Sequence, residues 1–107
     1  MSRREEERLQ DILEALAAIR RYLQDGDLTM PVVFDAVRMR FIEIGEAVKA
    51  LRAETVSKEA SIPWRRIAGM RDRLAHAYFD TALALMEVTV AEELDDLEAA
   101  IKRLAEA

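Results

Sequence analysis

The chain has 107 residues, with 16 Lys and Arg against 21 Asp and Glu for a net charge of −5, one histidine and no cysteine. That length makes a single domain over residues 1–107, and so short a chain buries only about two-thirds of its unfolded surface, so a core shared with a second copy would help it. The missing cysteines exclude disulfide scaffolds, thiolate zinc sites, iron–sulfur clusters and a cysteine nucleophile; the single histidine excludes a multi-histidine metal site within one chain; the acidic balance argues against a broad basic surface that coats long nucleic acid.

The longest apolar runs, Ala15–Ile19 and Ala82–Met86, fall far short of the ~20 residues that span a bilayer. The opening Met-Ser-Arg-Arg-Glu-Glu-Glu-Arg lacks the apolar stretch of a signal peptide, so a cytoplasmic location with no membrane partner is the expectation.

Leu9, Ile12, Leu13, Leu16, Ile19 or Arg20, and Leu23 recur at the spacing of an amphipathic helix. Asp25-Gly26-Asp27 ends it, with Gly26 placed for a left-handed C-terminal cap. Pro31 suits the first position of a second helix, where a missing N–H costs nothing. Phe34, Val37, Phe41, Ile44, Val48 and Leu51 then make a narrow seam that suits a partner helix at a shallow angle, widened by Met30 and Val33. Gly45 stands mid-helix at a cost of about 1 kcal/mol relative to Ala, which predicts a neighbouring backbone close by.

Residues 53–61 are polar and weakly periodic and read as a connection. Pro63 opens a third helix with the stripe Ile67, Met70, Leu74 and Ala77, divisible into shorter pieces near Gly69. Asp80 or Thr81 can cap a fourth helix carrying Leu83, Leu85 or Met86, Val90, Leu94, Leu97, Ile101 and Leu104. The expected fold is all-α: an antiparallel bundle of four helices, or five with a short extra one.

The unusual residues collect in one segment. Between Pro63 and Phe79 lie the only tryptophan, Trp64, the only histidine, His76, one of two tyrosines, Tyr78, and Arg65, Arg66, Arg71 and Arg73. Residues 65–76 carry a net +3, leaving −8 on the rest of the chain. At 100° per residue Arg71 and Tyr78 share a helix face, whereas His76 stands about 140° from Arg71. Either the helix ends near residue 75 or His76 meets an arginine from another chain, and both fit a cleft at a helix end or across a dimer. Taken alone, His76 reads equally as a helix cap or a partly buried aromatic ring, Trp64 as packing, and Arg65 as a solvated charge.

Arg71-x4-His76-x-Tyr78, preceded by Pro63-Trp64-x-x-Ile67-x-Gly69-Met70, resembles the signature of the HepT-like proteins of the HEPN superfamily of helical ribonucleases. Ile44-Gly45-Glu46-Ala47 in the second helix is similar to that family's Ile-Gly-Glu-Ala segment, and the likeness runs over nearly the whole chain. It implies a toxin ribonuclease of a type II toxin–antitoxin pair, acting as a homodimer whose interface cleft is lined by Arg71 and His76 of both copies. It also implies a minimal nucleotidyltransferase as antitoxin partner, transferring AMP to Tyr78. One residue departs from the pattern: Asp72 stands where the superfamily commonly has asparagine. Its carboxylate would repel a phosphate and is placed to pair with Arg71 or Arg73.

The chemistry follows from the residue types. Metal-free RNA cleavage uses the ribose 2′-OH as nucleophile and needs a base, an acid and positive charge on the phosphate. A histidine serves as either base or acid near neutral pH, and the Arg71 fork can bridge two phosphate oxygens. One histidine cannot fill both roles in one step; two chains supply two. Asp72 and Tyr78 are supporting residues at the site, Arg66 and Arg73 the candidates for holding RNA, and neither metal nor cofactor is expected. The main alternative is a non-catalytic helical docking partner of a nucleotidyltransferase. Behind it stand a plain structural dimer and a di-metal carboxylate bundle, the last disfavoured because Arg73, not a carboxylate, lies three residues before His76.

Overall fold

The computed structural model describes residues 1–107 as six α-helices and no strand: α1 (Arg3–Asp25), α2 (Pro31–Lys49), α3 (Ala53–Val56), α4 (Trp64–His76), α5 (Phe79–Glu92) and α6 (Leu94–Glu106), with a 3-10 turn at Ser57–Glu59. The molecule measures 39 × 25 × 22 Å. No helix is long and apolar enough to cross a membrane.

Helix α1 starts where the Ser2 hydroxyl accepts from the Glu5 amide at 3.1 Å, an N-cap of the usual kind. Of its apolar stripe, Leu9, Ile12, Leu16 and Ile19 are buried, and Arg20 instead reaches Asp95 at 2.7 Å and Glu98 at 3.0 Å on α6. The helix does stop at Gly26, but not through a left-handed cap: Gly26 is extended, with φ 177°. The chain reverses instead through Asp27, whose carboxylate accepts from the Thr29 amide at 2.8 Å as Asp does in such turns. Pro31 opens α2 as expected.

Helix α2 is the central member, packed along α1 on one side and α4 on the other. Its seam, Phe34, Val37, Phe41, Ile44, Val48 and Leu51, is buried throughout, and Val33 joins it while Met30 stays exposed. Residues 53–61 are more than a connection. The Glu5 carboxylate, 3% exposed, accepts from the Arg52 amide at 2.7 Å and the Thr55 hydroxyl at 2.8 Å, so a side chain of α1 ties down the start of α3. Glu59 next holds Arg103 of α6 through two bonds of 3.0 and 2.7 Å, and its carbonyl accepts from Trp64 Nε1 at 2.9 Å.

Three expectations change in the second half. Helix α4 runs unbroken through Gly69, with Ile67, Met70 and Leu74 buried. Helix α5 begins at Phe79, earlier than a cap at Asp80 or Thr81 allows; Tyr78 takes the N-cap position without a side-chain bond. The final helix is divided at Glu93, whose φ of −122° interrupts the helical backbone between α5 and α6. Glu93 is buried and pairs with Arg66 of α4; a local contact with α4 thus accompanies the break.

Candidate active site

Helix α4 carries the signature residues, and α2 brings it its partners. The approach of the two helices is set at Gly45: a β-carbon there would stand 3.1 Å from both the Arg71 amide nitrogen and the Ile67 carbonyl oxygen. The neighbouring backbone that the mid-helix glycine predicted is therefore that of Arg71. With the helices this close, Glu46 reaches the arginine itself. Arg71 Nε donates to Glu46 at 3.1 Å and Nη1 donates to Asp72 at 3.0 Å.

Arg71 is thus held by two carboxylates, which stabilise its charge and push its pKa further up, Asp72 foremost. The same hydrogen bond from Arg71 draws the Asp72 carboxyl below the ordinary aspartate range, with Lys49 and His76 adding positive charge nearby. Of the two pairings open to Asp72, Arg71 is the one formed. Glu46, Lys49, Ala68, Arg71 and Asp72 line a groove of about 300 Å³. A second groove of about 460 Å³ between α1 and α2 shares Glu46 with it, but its charged walls pair with each other, Arg8 with Asp11 and Arg40 with Glu43, both at 3.1 Å.

His76 is the last residue of α4 and is exposed. The helix end that carries it is held from α2: Arg38 Nη1 donates to the Leu74 carbonyl at 2.6 Å, satisfying one of the carbonyls a helix C-terminus leaves free. Of the two outcomes the spacing left open, the helix end is the one that occurs within the chain. The shared face of Arg71 and Tyr78 does not survive it. Ala77 is extended, with ψ 146°, so Tyr78 lies beyond α4, 89% exposed. The next residue fixes the corner: the Phe79 ring packs on Phe34 with centroids 4.6 Å apart.

The +3 patch is divided between two sides of α4. Arg71 faces α2 with Glu46 and Lys49, whereas Arg66 and Arg73 lie elsewhere, along a depression that also includes Trp64, Arg65 and Gly69. Arg66 pairs with Glu93, and Arg73 Nη2 donates to the Arg66 carbonyl at 2.8 Å. Nowhere do three His, Asp or Glu side chains gather as metal ligands would.

Two contributors are not evident from the motif alone. Glu46 is visible in the Ile-Gly-Glu-Ala segment, yet its partner is not. Arg38 has a signal: it stands seven residues before Gly45, two helical turns away on the face that meets α4.

The family described as ribonuclease HepT-like matches residues 12–104. The chain is 32% identical to the "Probable ribonuclease HepT" of Thermococcus cleftensis, over 97% of this chain and 98% of that one. It is 38% identical to the "Putative RNase TTE0752" of Caldanaerobacter subterraneus subsp. tengcongensis, over 73% of this chain and 70% of that protein. No solved structure matches it. On the extent of these matches, the chain belongs to the HepT-like ribonuclease family.

Proposed function

We propose that this protein is a metal-independent endoribonuclease whose working unit is a homodimer, with Arg71 and His76 of both copies facing one RNA strand. The observation that carries the reading is the placement of Arg71 and His76 on one helix, the guanidinium over a groove and the imidazole exposed at the helix end. In the proposed reaction one His76 takes the 2′-OH proton as the 2′ oxygen forms its bond to phosphorus. The P–O5′ bond breaks, and the second His76 gives its proton to the departing O5′. Arg71 neutralises the charge that builds on the phosphoryl oxygens. The products are a 2′,3′-cyclic phosphate and a 5′-hydroxyl, and DNA, lacking the 2′-OH, is inert.

The same reading makes the protein the toxin of a type II toxin–antitoxin pair, silenced by a minimal nucleotidyltransferase that transfers AMP to Tyr78. The exposure of Tyr78 suits an enzyme that must reach its hydroxyl, and an added AMP would bring negative charge and bulk next to the helix end bearing His76.

A second reading, a non-catalytic docking partner of a nucleotidyltransferase, is favoured by one observation: Arg71 already holds two carboxylates, which a phosphate must displace. A chelator-treated RNA cleavage assay separates the two. Wild type cleaves and both His76→Ala and Arg71→Ala lose about a hundredfold or more in rate if the enzyme reading holds; equal rates for all three sink it. Mass spectrometry after co-expression with a neighbouring nucleotidyltransferase is expected to find an adenylyl adduct on Tyr78, and an unmodified Tyr78 in a silenced complex refutes the modification.

A further inference from the structure

The side of α4 turned away from Arg71 carries a second set of positive groups that the cleavage chemistry leaves unused. Pro63, Trp64, Arg65, Arg66, Gly69 and Arg73 line an open depression of about 770 Å³ that shares no residue with the groove at Arg71. Arg66 is neutralised by Glu93, but Arg65 and Arg73 have no carboxylate partner. Arg73 is folded back along the helix by its bond to the Arg66 carbonyl. Gly69 leaves the space beneath open, with Arg73 Nη2 the nearest group at 3.9 Å from where a β-carbon would be. Trp64 is half-buried against the core, its ring fixed by the bond to the Glu59 carbonyl, and only its exposed part lines the depression.

We infer that this depression is an accessory site for single-stranded RNA, binding phosphates through Arg65 and Arg73 and one base against the Trp64 ring. A fixed aromatic ring flanked by unpaired guanidinium groups is what a single strand requires: every base offers a π-face and every linkage a charge. On a chain of net charge −5, such an unpaired cationic strip selects for a polyanion. Arg73 and His76 share the last turn of α4, and on the proposed mechanism a strand seated here passes around the helix end to the cleavage site. That last step rests on the ribonuclease reading; the binding itself does not.

Trp64 is the only tryptophan, so its fluorescence reports on this site alone. The test titrates the protein with a 2′-O-methyl oligouridylate of about ten nucleotides, which cannot be cleaved and is long enough to fill a site of this type. The expected result is quenching of Trp64, with affinity lowered about tenfold or more in Arg65→Glu/Arg73→Glu and largely retained in Arg65→Lys/Arg73→Lys, which keeps the charges. The dependence of log affinity on log salt should become shallower by about 0.7 for each phosphate that the variant no longer neutralises. Absence of quenching, or unchanged affinity in the double glutamate variant, overturns the site. A change of oligomeric state in that variant with unchanged affinity identifies the strip as a surface between copies of the chain and overturns it equally. Quenching in a protein that cleaves no RNA leaves this site standing and removes the ribonuclease reading alone.

Discussion

Gly45 and the backbone of Arg71 are in contact: the space a β-carbon would fill at Gly45 lies 3.1 Å from the Arg71 amide nitrogen. The missing side chain allows α2 close to α4, and the residue that follows, Glu46, holds the Arg71 guanidinium. Gly45→Ala tests this arrangement. Alanine gains about 1 kcal/mol of helix propensity, whereas overpacking against rigid backbone costs about 1–3 kcal/mol. The net expectation is a loss of roughly 1 kcal/mol in urea denaturation, because the groups in the way are main-chain atoms that cannot rotate aside. An alanine variant more stable than wild type would show that α4 moves away freely.

Asp72 places a second negative charge, beside that of Glu46, on the arginine proposed to receive a phosphate. Since Arg71 holds its carboxyl below the ordinary aspartate range, Asp72 stays ionised throughout the neutral range, and mild acid does not relieve the repulsion. Asp72→Asn keeps an acceptor for Arg71 and removes the charge. RNA cleavage at low salt should rise about fivefold, chiefly through a lower KM, and the gain should shrink as salt screens the site. A variant slower than wild type would assign Asp72 a positive role in the reaction.

Arg38 holds the end of α4 through the Leu74 carbonyl, two residues before His76. On the proposed mechanism it is a positioning residue, touching helix backbone rather than substrate. Arg38→Ala should lower kcat by about fivefold to tenfold with KM little changed, because a histidine displaced by about an ångström transfers protons poorly. The stability loss should stay near 1 kcal/mol. Arg38→Lys restores part of the rate; wild-type kcat in the alanine variant would remove Arg38 from this role.

Glu5 makes stability depend on pH. Burial by itself would raise its pKa, but bonds from the Arg52 amide and the Thr55 hydroxyl, with the Arg52 charge, outweigh it, and the carboxyl titrates below its ordinary value of 4.5. A carboxyl with a lowered folded pKa stabilises the fold above its unfolded pKa and loses that contribution as pH falls through the folded value. Glu5→Ala should therefore cost about 2 kcal/mol at neutral pH, where it strands two donors, and progressively less below pH ~4. A gap between wild type and variant that does not narrow in acid would show that the carboxylate charge contributes nothing.

Periodicity and punctuation alone carried the all-α class, the buried seam of α2 and the start at Pro31, since these depend on side-chain spacing along one helix. The signature residues were legible for the same reason: Arg71, Asp72, His76 and Tyr78 are close in the chain. The errors fall where a distant group or the exact backbone path decides. Apolar spacing continues across Glu93, so the division between α5 and α6 left no mark in the pattern; it became visible only with Glu93 against Arg66. Gly26 offered a left-handed cap, yet the chain turned through an extended backbone and Asp27.

The sequence by itself determined that this is a helical protein with a basic, histidine-bearing segment in an acidic chain, and which family that segment resembles. Only the tertiary structure decided how the segment is divided. It put Arg71 against Glu46 and Asp72 on one side of α4, Arg65, Arg66 and Arg73 with Trp64 on another, and Tyr78 beyond the helix end. Charge counted along a chain says how much is present; the direction in which each side chain leaves its helix, and what packs there, says which charges act together.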